Sequence, residues 1–248
     1  VHSGYFWMLD YKGIPAQTKK QIYAQAFAIY ALSEYFILTK EELALTQALE
    51  FFELIEKYSK DQEHGVYIEA FSRDLKLLED LRLSDQDANE AKTMNTHLHI
   101  LEAYTNLYRV CPHEKVGKAL KELIHCFLDK FICTESHHLH LFFDEKWQLK
   151  SKEISFGHDI EASWLLTKAA EVLGDATLLE KVKRVALNIA AVTLEEGIGK
   201  DGRIYNEAKP KGEIDKSCHW WQPAEAIVGF LHAYQISNEP KYENAAFL

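Results

Sequence analysis

Four short aromatic pieces recur along this chain: Gly4-Tyr5-Phe6-Trp7, Gly65-Val66-Tyr67-Ile68, Leu141-Phe142-Phe143-Asp144 and Gly202-Arg203-Ile204-Tyr205. They are spaced by roughly 60 to 75 residues, with two helix-length segments in each interval. No other feature constrains the fold as strongly. A lone helix pair cannot bury its apolar faces, so repeated pairs must stack on their neighbours. Apolar residues at intervals of three and four predict helices over 17–38 and 41–58, 91–110 and 113–131, and 158–173 and 176–194. A fourth pair begins near Trp220, runs to Ile236, breaks at Asn238-Glu239-Pro240 and resumes at Lys241. The expected class is all-α, with stacked pairs curving into an (α/α)6 toroid or barrel and strand-like loops at one mouth. A closed ring of this kind takes about six pairs, and three pairs and part of a fourth are visible. The chain lacks an initiator Met and stops inside an apparent amphipathic helix, so both ends read as cut. The plainer alternative is a short open solenoid of four pairs. Either way, residues 1–248 form one domain.

Composition narrows the function classes. A net charge of −10 spread along the chain disfavours a phosphate backbone, so nucleic acid is not an expected partner. No apolar run approaches the ~18 residues that span a bilayer, so no membrane partner is expected. Cys111, Cys126, Cys133 and Cys218 show no CxxC spacing. They read as reduced thiols in a cytoplasmic protein. Aromatic residues with scattered histidines and carboxylates suit a carbohydrate pocket, where sugar C–H faces stack on rings. An aromatic-rich core explains the same composition.

Three segments carry possible chemistry. In Lys92-Thr93-Met94-Asn95-Thr96-His97-Leu98-His99, the residues Asn95, His99 and Glu102 share one helical face. His97 and His99 point apart, so they cannot ligate one metal together. In Gly157-His158-Asp159-Ile160-Glu161, a histidine at a helix start has Glu161 one turn on, able to raise its pKa. In Cys218-His219-Trp220-Trp221-Gln222-Pro223-Ala224-Glu225, the proline marks a first helical turn. That places Trp221 near the helix start and Glu225 one turn later. His137-His138-x-His140 reads as a solvated loop, and no metal site is expected. HExxH, GxSxG and a Gly-rich phosphate loop are all missing from the sequence. Abundant carboxylate pairs keep a glycoside hydrolase in play.

Four segments together resemble the cellobiose 2-epimerases, within the wider N-acylglucosamine 2-epimerase superfamily. They are Tyr23 to Ser33, Thr93 to Tyr104, Gly157 to Trp164, and Trp220-Trp221 with Ala224-Glu225-Ala226. The resemblance runs over essentially the whole chain and about the middle two thirds of a family member. It implies an (α/α)6 barrel that inverts C2 of the reducing-end sugar of a β-1,4-disaccharide, with no metal or nucleotide cofactor. N-acylglucosamine and mannobiose are the alternative substrates, and the alternative from another class is a fragment that only binds sugars or is inactive. The resemblance assigns His158 as one of two proton-transfer histidines and His99 as an aid to ring opening. It makes Glu161 the carboxylate that tunes His158. Tyr23, Asn95, Trp221 and Glu225 fall at or beside substrate-contacting positions. Ser84 and Asp87 lie in the loop toward the distal sugar. The second histidine and an enediolate-stabilising arginine are expected outside residues 1–248. Two departures stand out: Leu75 where relatives carry Trp, and Pro223 where they carry Gln.

Overall fold

The computed structural model describes residues 3–85, 87–210 and 212–247. Among them are eight helices in four sequential pairs: α1 (Ile22–Thr39) and α2 (Glu42–Tyr58), α3 (Met94–Val110) and α4 (Glu114–Cys126), α5 (Phe156–Leu173) and α6 (Ala176–Val192), α7 (Trp221–Ser237) and α8 (Pro240–Ala246). The periodicity located every one to within a few residues. Local chemistry sets the ends. Gly174 closes α5 in a left-handed conformation, and Asp175 then caps α6 by accepting from Leu178 N–H. Pro240 opens α8, where a missing N–H costs nothing.

The repeat has a common plan. α1, α3 and α5 each continue directly from a two-residue strand: Lys20–Gln21, Lys92–Thr93 and Ile154–Ser155. Each strand pairs antiparallel with one that follows the second helix of the same pair: Ala70–Phe71, Phe142–Phe143 and Glu207–Ala208. Before that second strand the chain makes a hairpin closed by a single bridge, Lys60 to Tyr67, Ile132 to Leu139 or Ile198 to Ile204. α4 and α6 enter their hairpins through wide π turns at Phe127–Phe131 and Thr193–Gly197. Two expectations are corrected. The aromatic pieces near 67 and 204 are hairpin arms, and the regular pairing lies a few residues later. Helix α1 begins at Ile22 rather than near 17, because Lys20 and Gln21 are taken into the ladder with Phe71 and Ala70.

The chain divides into two compact units: Val1–Leu123 with Phe142–Lys150, and Ile124–Leu141 with Ser151–Leu248. In the first, α1 lies along α3. Glu34 of α1 accepts from Asn106 Nδ2 at 2.7 Å and from Arg109 at 2.6 Å, and Ile29, Phe52, Leu98 and Tyr104 are buried. In the second, α5, α6, α7 and α8 enclose Phe156, Ile160, Phe230 and Tyr242. Each such side chain contributes about 1.5–3 kcal/mol of burial. Helices α5 and α7 approach closely at Gly229, where a Cβ would meet the Ile160 carbonyl oxygen at 2.7 Å. None of the described helices is long and apolar enough to cross a membrane.

Candidate active site

Each unit carries one cluster, built on the first turns of α3 and of α5. These turns share a register. The second residue of α1, α3 and α5 is Tyr23, Asn95 or Gly157; the fourth is Gln25, His97 or Asp159; the sixth is Phe27, His99 or Glu161. Side chains at the second and sixth positions stand one turn apart on one face.

The fourth position is buried and does one job in all three repeats: it accepts a hydrogen bond from a backbone N–H in the segment before its helix. Gln25 Oε1 accepts from Tyr5 at 2.8 Å, His97 Nε2 from Tyr67 at 3.1 Å, and Asp159 Oδ1 from Leu139 at 2.9 Å. His97 also donates from Nδ1 to Thr93 O at 2.6 Å, so its neutral tautomer is fixed. Burial pushes its pKa down to about 4. Of the two histidines that point apart on this helix, His97 is therefore buried and His99 is partly open.

In the first unit, Asn95, His99 and Glu102 are the partly open positions on the first turns of a helix that is otherwise buried there. His99 Nδ1–H donates to Glu102 Oε2 at 3.1 Å. Its ring meets Tyr23 edge-on at 4.9 Å and Phe27 at 4.8 Å, both from α1. Trp7 meets Tyr23 edge-on at 6.4 Å. Asn95 Oδ1 is buried and accepts no hydrogen bond among the described residues, which suits an acceptor kept for a ligand hydroxyl. Ser84 and Asp87 close their own turn. Asp87 Oδ2 accepts from Ser84 N–H at 2.8 Å, and Ser84 is exposed.

In the second unit, His158 is the third residue of α5. Its Nδ1 lies 2.7 Å from Ser155 Oγ, and its ring packs against Trp221 with centroids 4.8 Å apart. Gly157 makes that packing possible: a Cβ there would meet Trp221 Cη2 at 2.6 Å and Gln222 Cγ at 2.7 Å. The proline expectation holds, with Pro223 in the first turn of α7. Trp221 is half-buried, while Trp220 is 87% exposed. Glu161 is buried one turn beyond His158. Glu225 accepts from Trp164 Nε1–H at 2.9 Å.

One expectation is overturned. The His137-His138-x-His140 loop is not uniformly solvated, since His138 is 3% exposed. His137 takes a left-handed turn at φ 63°, which returns the next residue into the fold. There His138 Nδ1–H donates to Asp159 Oδ2 at 2.7 Å, and Nε2 faces Glu196 Oε2 at 3.4 Å. In the imidazolium form both ring nitrogens can donate, one to each carboxylate. Burial pulls the pKa of His138 down, but the bonds to and charges of Asp159 and Glu196 outweigh it and hold the group above its ordinary value. Sequence reading missed this pair because the two residues are far apart in the chain. Phe27 was legible through the repeat register, at the position of His99. Among the described residues no group of three or more His, Cys, Asp or Glu is placed to hold a metal ion.

The chain matches the model of the N-acylglucosamine 2-epimerase (GlcNAc 2-epimerase) family over residues 1–247. It is 47% identical to a cellobiose 2-epimerase of Bacteroides fragilis over 232 residues, which is 94% of this chain and 59% of that protein. It is 39% identical to the cellobiose 2-epimerase of Dictyoglomus turgidum over 99% of this chain and 62% of that protein. It superposes on the structure of cellobiose 2-epimerase from Bacillus thermoamylovorans B4167 with a TM-score of 0.94 at 39% identity, over 98% of this chain and 62% of that one. The series of helix pairs is thus of the (α/α)6 class. The chain spans about three fifths of the length of these relatives.

Proposed function

This chain belongs to the N-acylglucosamine 2-epimerase family, and from that premise we propose that it serves the interconversion of glucose and mannose configuration at C2 of the reducing-end residue of a β-1,4-disaccharide of the cellobiose type. One observation carries the reading: a helix-start histidine, His158, held at Nδ1 by Ser155 and packed against the Trp221 ring. A base needs a fixed nitrogen, and a sugar needs an aromatic floor.

The chemistry follows from the acidity of the C2 proton. That proton is acidic only beside a carbonyl, so the sugar ring opens first. A base then takes the C2 proton, the electron pair moves into an enediolate, and a proton returns on the opposite face. In this reading His158 moves the proton on one face through Nε2, since Nδ1 is engaged by Ser155. His99, backed by Glu102, assists ring opening, and Glu161 tunes His158. Tyr23, Asn95, Trp221 and Glu225 hold the reducing-end sugar. Ser84 and Asp87 meet the distal one. A second histidine and an arginine for the enediolate come, by the family resemblance, from outside residues 1–248. The four free thiols support a cytoplasmic setting.

The test is exchange of the C2 proton in deuterated water. His158→Ala in the full-length protein should lower it by about 10²–10⁴-fold, the usual worth of a general acid or base. Undiminished exchange would remove His158 from the mechanism. Release of monosaccharide without a C2 epimer would identify a glycoside hydrolase instead.

A further inference from the structure

The starts of α3 and α5 are held in different ways. In α3 the cap residue Thr93 does the expected work, its Oγ1 accepting from Thr96 N–H at 3.2 Å. In α5 the cap residue Ser155 makes no such bond, because its hydroxyl is turned to His158. The first turn of α5 lacks that cap and is left to the anchor at its fourth position, Asp159. One carboxylate oxygen takes Leu139 N–H and the other takes His138. His138 in turn faces Glu196, in the π turn after α6, and packs against Phe156, the first residue of α5, with ring centroids 6.0 Å apart. Anchoring alone does not call for charge. Gln25 does the same job as a neutral amide and His97 as a neutral imidazole. Asp159, the anchor next to the candidate base, is the one bonded to a histidine side chain from the hairpin it holds.

We propose that His138, through its bond to Asp159, is a positioning residue for His158: it fixes the first turn of α5 so that His158 stays on Ser155 and against Trp221. The proposal rests on the epimerase reading for its catalytic consequence, but its structural consequence stands apart from it. The working element is the bond from Nδ1 to Asp159. The interaction of Nε2 with Glu196 is secondary.

Two substitutions in the full-length protein separate these bonds. His138→Asn places an amide near the position of Nδ1 and keeps a donor for Asp159. His138→Gln places one near Nε2 and leaves Asp159 Oδ2 without its donor. Both remove the charge, so a role carried by the charge alone would affect them alike. We expect His138→Gln to lower kcat for C2 exchange about tenfold with KM within twofold, and His138→Asn to keep at least half of the parent kcat. Crystal structures of both variants supply a readout that needs no activity. The His158 and Trp221 rings should stay packed at 4.8 Å in His138→Asn and move apart in His138→Gln. Equal falls in kcat in the two variants, or an unmoved His158 in His138→Gln, would overturn the proposal. A parent protein with no C2 exchange, but with the two rings separated only in His138→Gln, would sink the epimerase reading and leave His138 as the residue that positions His158.

Discussion

Two buried histidines, one in each unit, hold equivalent hairpins with their pKa values shifted in opposite directions. His97 is an acceptor: Tyr67 N–H donates to it, Thr93 O takes its one proton, and burial holds it neutral. His138 faces carboxylates on both sides, Asp159 and Glu196, and their bonds and charges outweigh its burial and hold its pKa above the ordinary value. The repeat asks only that something on the first turn of each odd-numbered helix accept a backbone N–H. Three side-chain chemistries meet that demand in Gln25, His97 and Asp159. The difference teaches that the scaffold is indifferent to charge at this place. Charge appears where the neighbouring residue has a second task.

The sharpest way to break this comparison is to truncate the anchor in each unit. Asp159→Ala leaves His138 buried beside an empty site, and removing one partner of a buried pair costs about 3–5 kcal/mol. Gln25→Ala removes neutral hydrogen bonds at the matching place and should cost about 1–3 kcal/mol. Urea unfolding of the full-length variants measures both. Equal losses would mean that the pair with His138 adds nothing beyond the backbone anchor.

The second helical position offers a smaller contrast. Gly157→Ala drives a Cβ into Trp221 and Gln222 at under 3 Å, and overpacking of this kind costs about 1–3 kcal/mol. It should also displace Trp221 from His158, so activity should fall more than stability. Asn95→Ala, at the matching place in α3, removes a carbonyl oxygen that accepts no hydrogen bond among the described residues. It should leave the thermal midpoint within a degree or two and raise KM for the disaccharide. A stability loss as large as that of Gly157→Ala would make Asn95 structural.

How much of this was legible in the sequence depends on range. The helices were, because their apolar spacing is local and their breaks at Gly174 and Pro240 are chemically explicit. The stripe of Asn95, His99 and Glu102 was legible for the same reason. The His138–Asp159 pair was not: a run of histidines in a polar loop looks solvated until the left-handed turn at His137 folds it back. The diversion of Ser155 from capping to His158 was equally hidden, since Ser before a helix reads as an ordinary cap. Glu161 could be named but not placed, because the same spacing serves a partner of His158 and a buried helix residue alike.

The smallest predicted effect is the most specific to the two histidines. The ordinary histidine value is 6.5, and His97 sits at about 4 when folded. Between those values the unfolded chain binds the extra proton, so stability falls as pH drops below 6.5. At pH 5.5 the loss is about 1.4 kcal/mol relative to pH 7.5. His138 has the opposite sign. Its folded value is raised, so its contribution is complete below 6.5 and is lost as pH rises through that higher value. Glu69, buried and raised to about 7, also loses its contribution as pH rises from 4.5. It is common to parent and variants and cancels in their difference. His97→Gln keeps a neutral anchor of the kind found at Gln25, and should remove the acid-side loss of about 1.4 kcal/mol while leaving the alkaline side unchanged. His138→Asn should leave the acid-side loss in place and change the alkaline side instead, since it removes the titration of His138 together with its hold on the buried Asp159 carboxyl. Urea midpoints of parent and variants at pH 5.5, 7.5 and 8.5 measure both slopes. If His97→Gln retains the parent's full acid sensitivity, His97 is not the neutral buried imidazole that anchors Tyr67, and the contrast between the two units loses one of its terms.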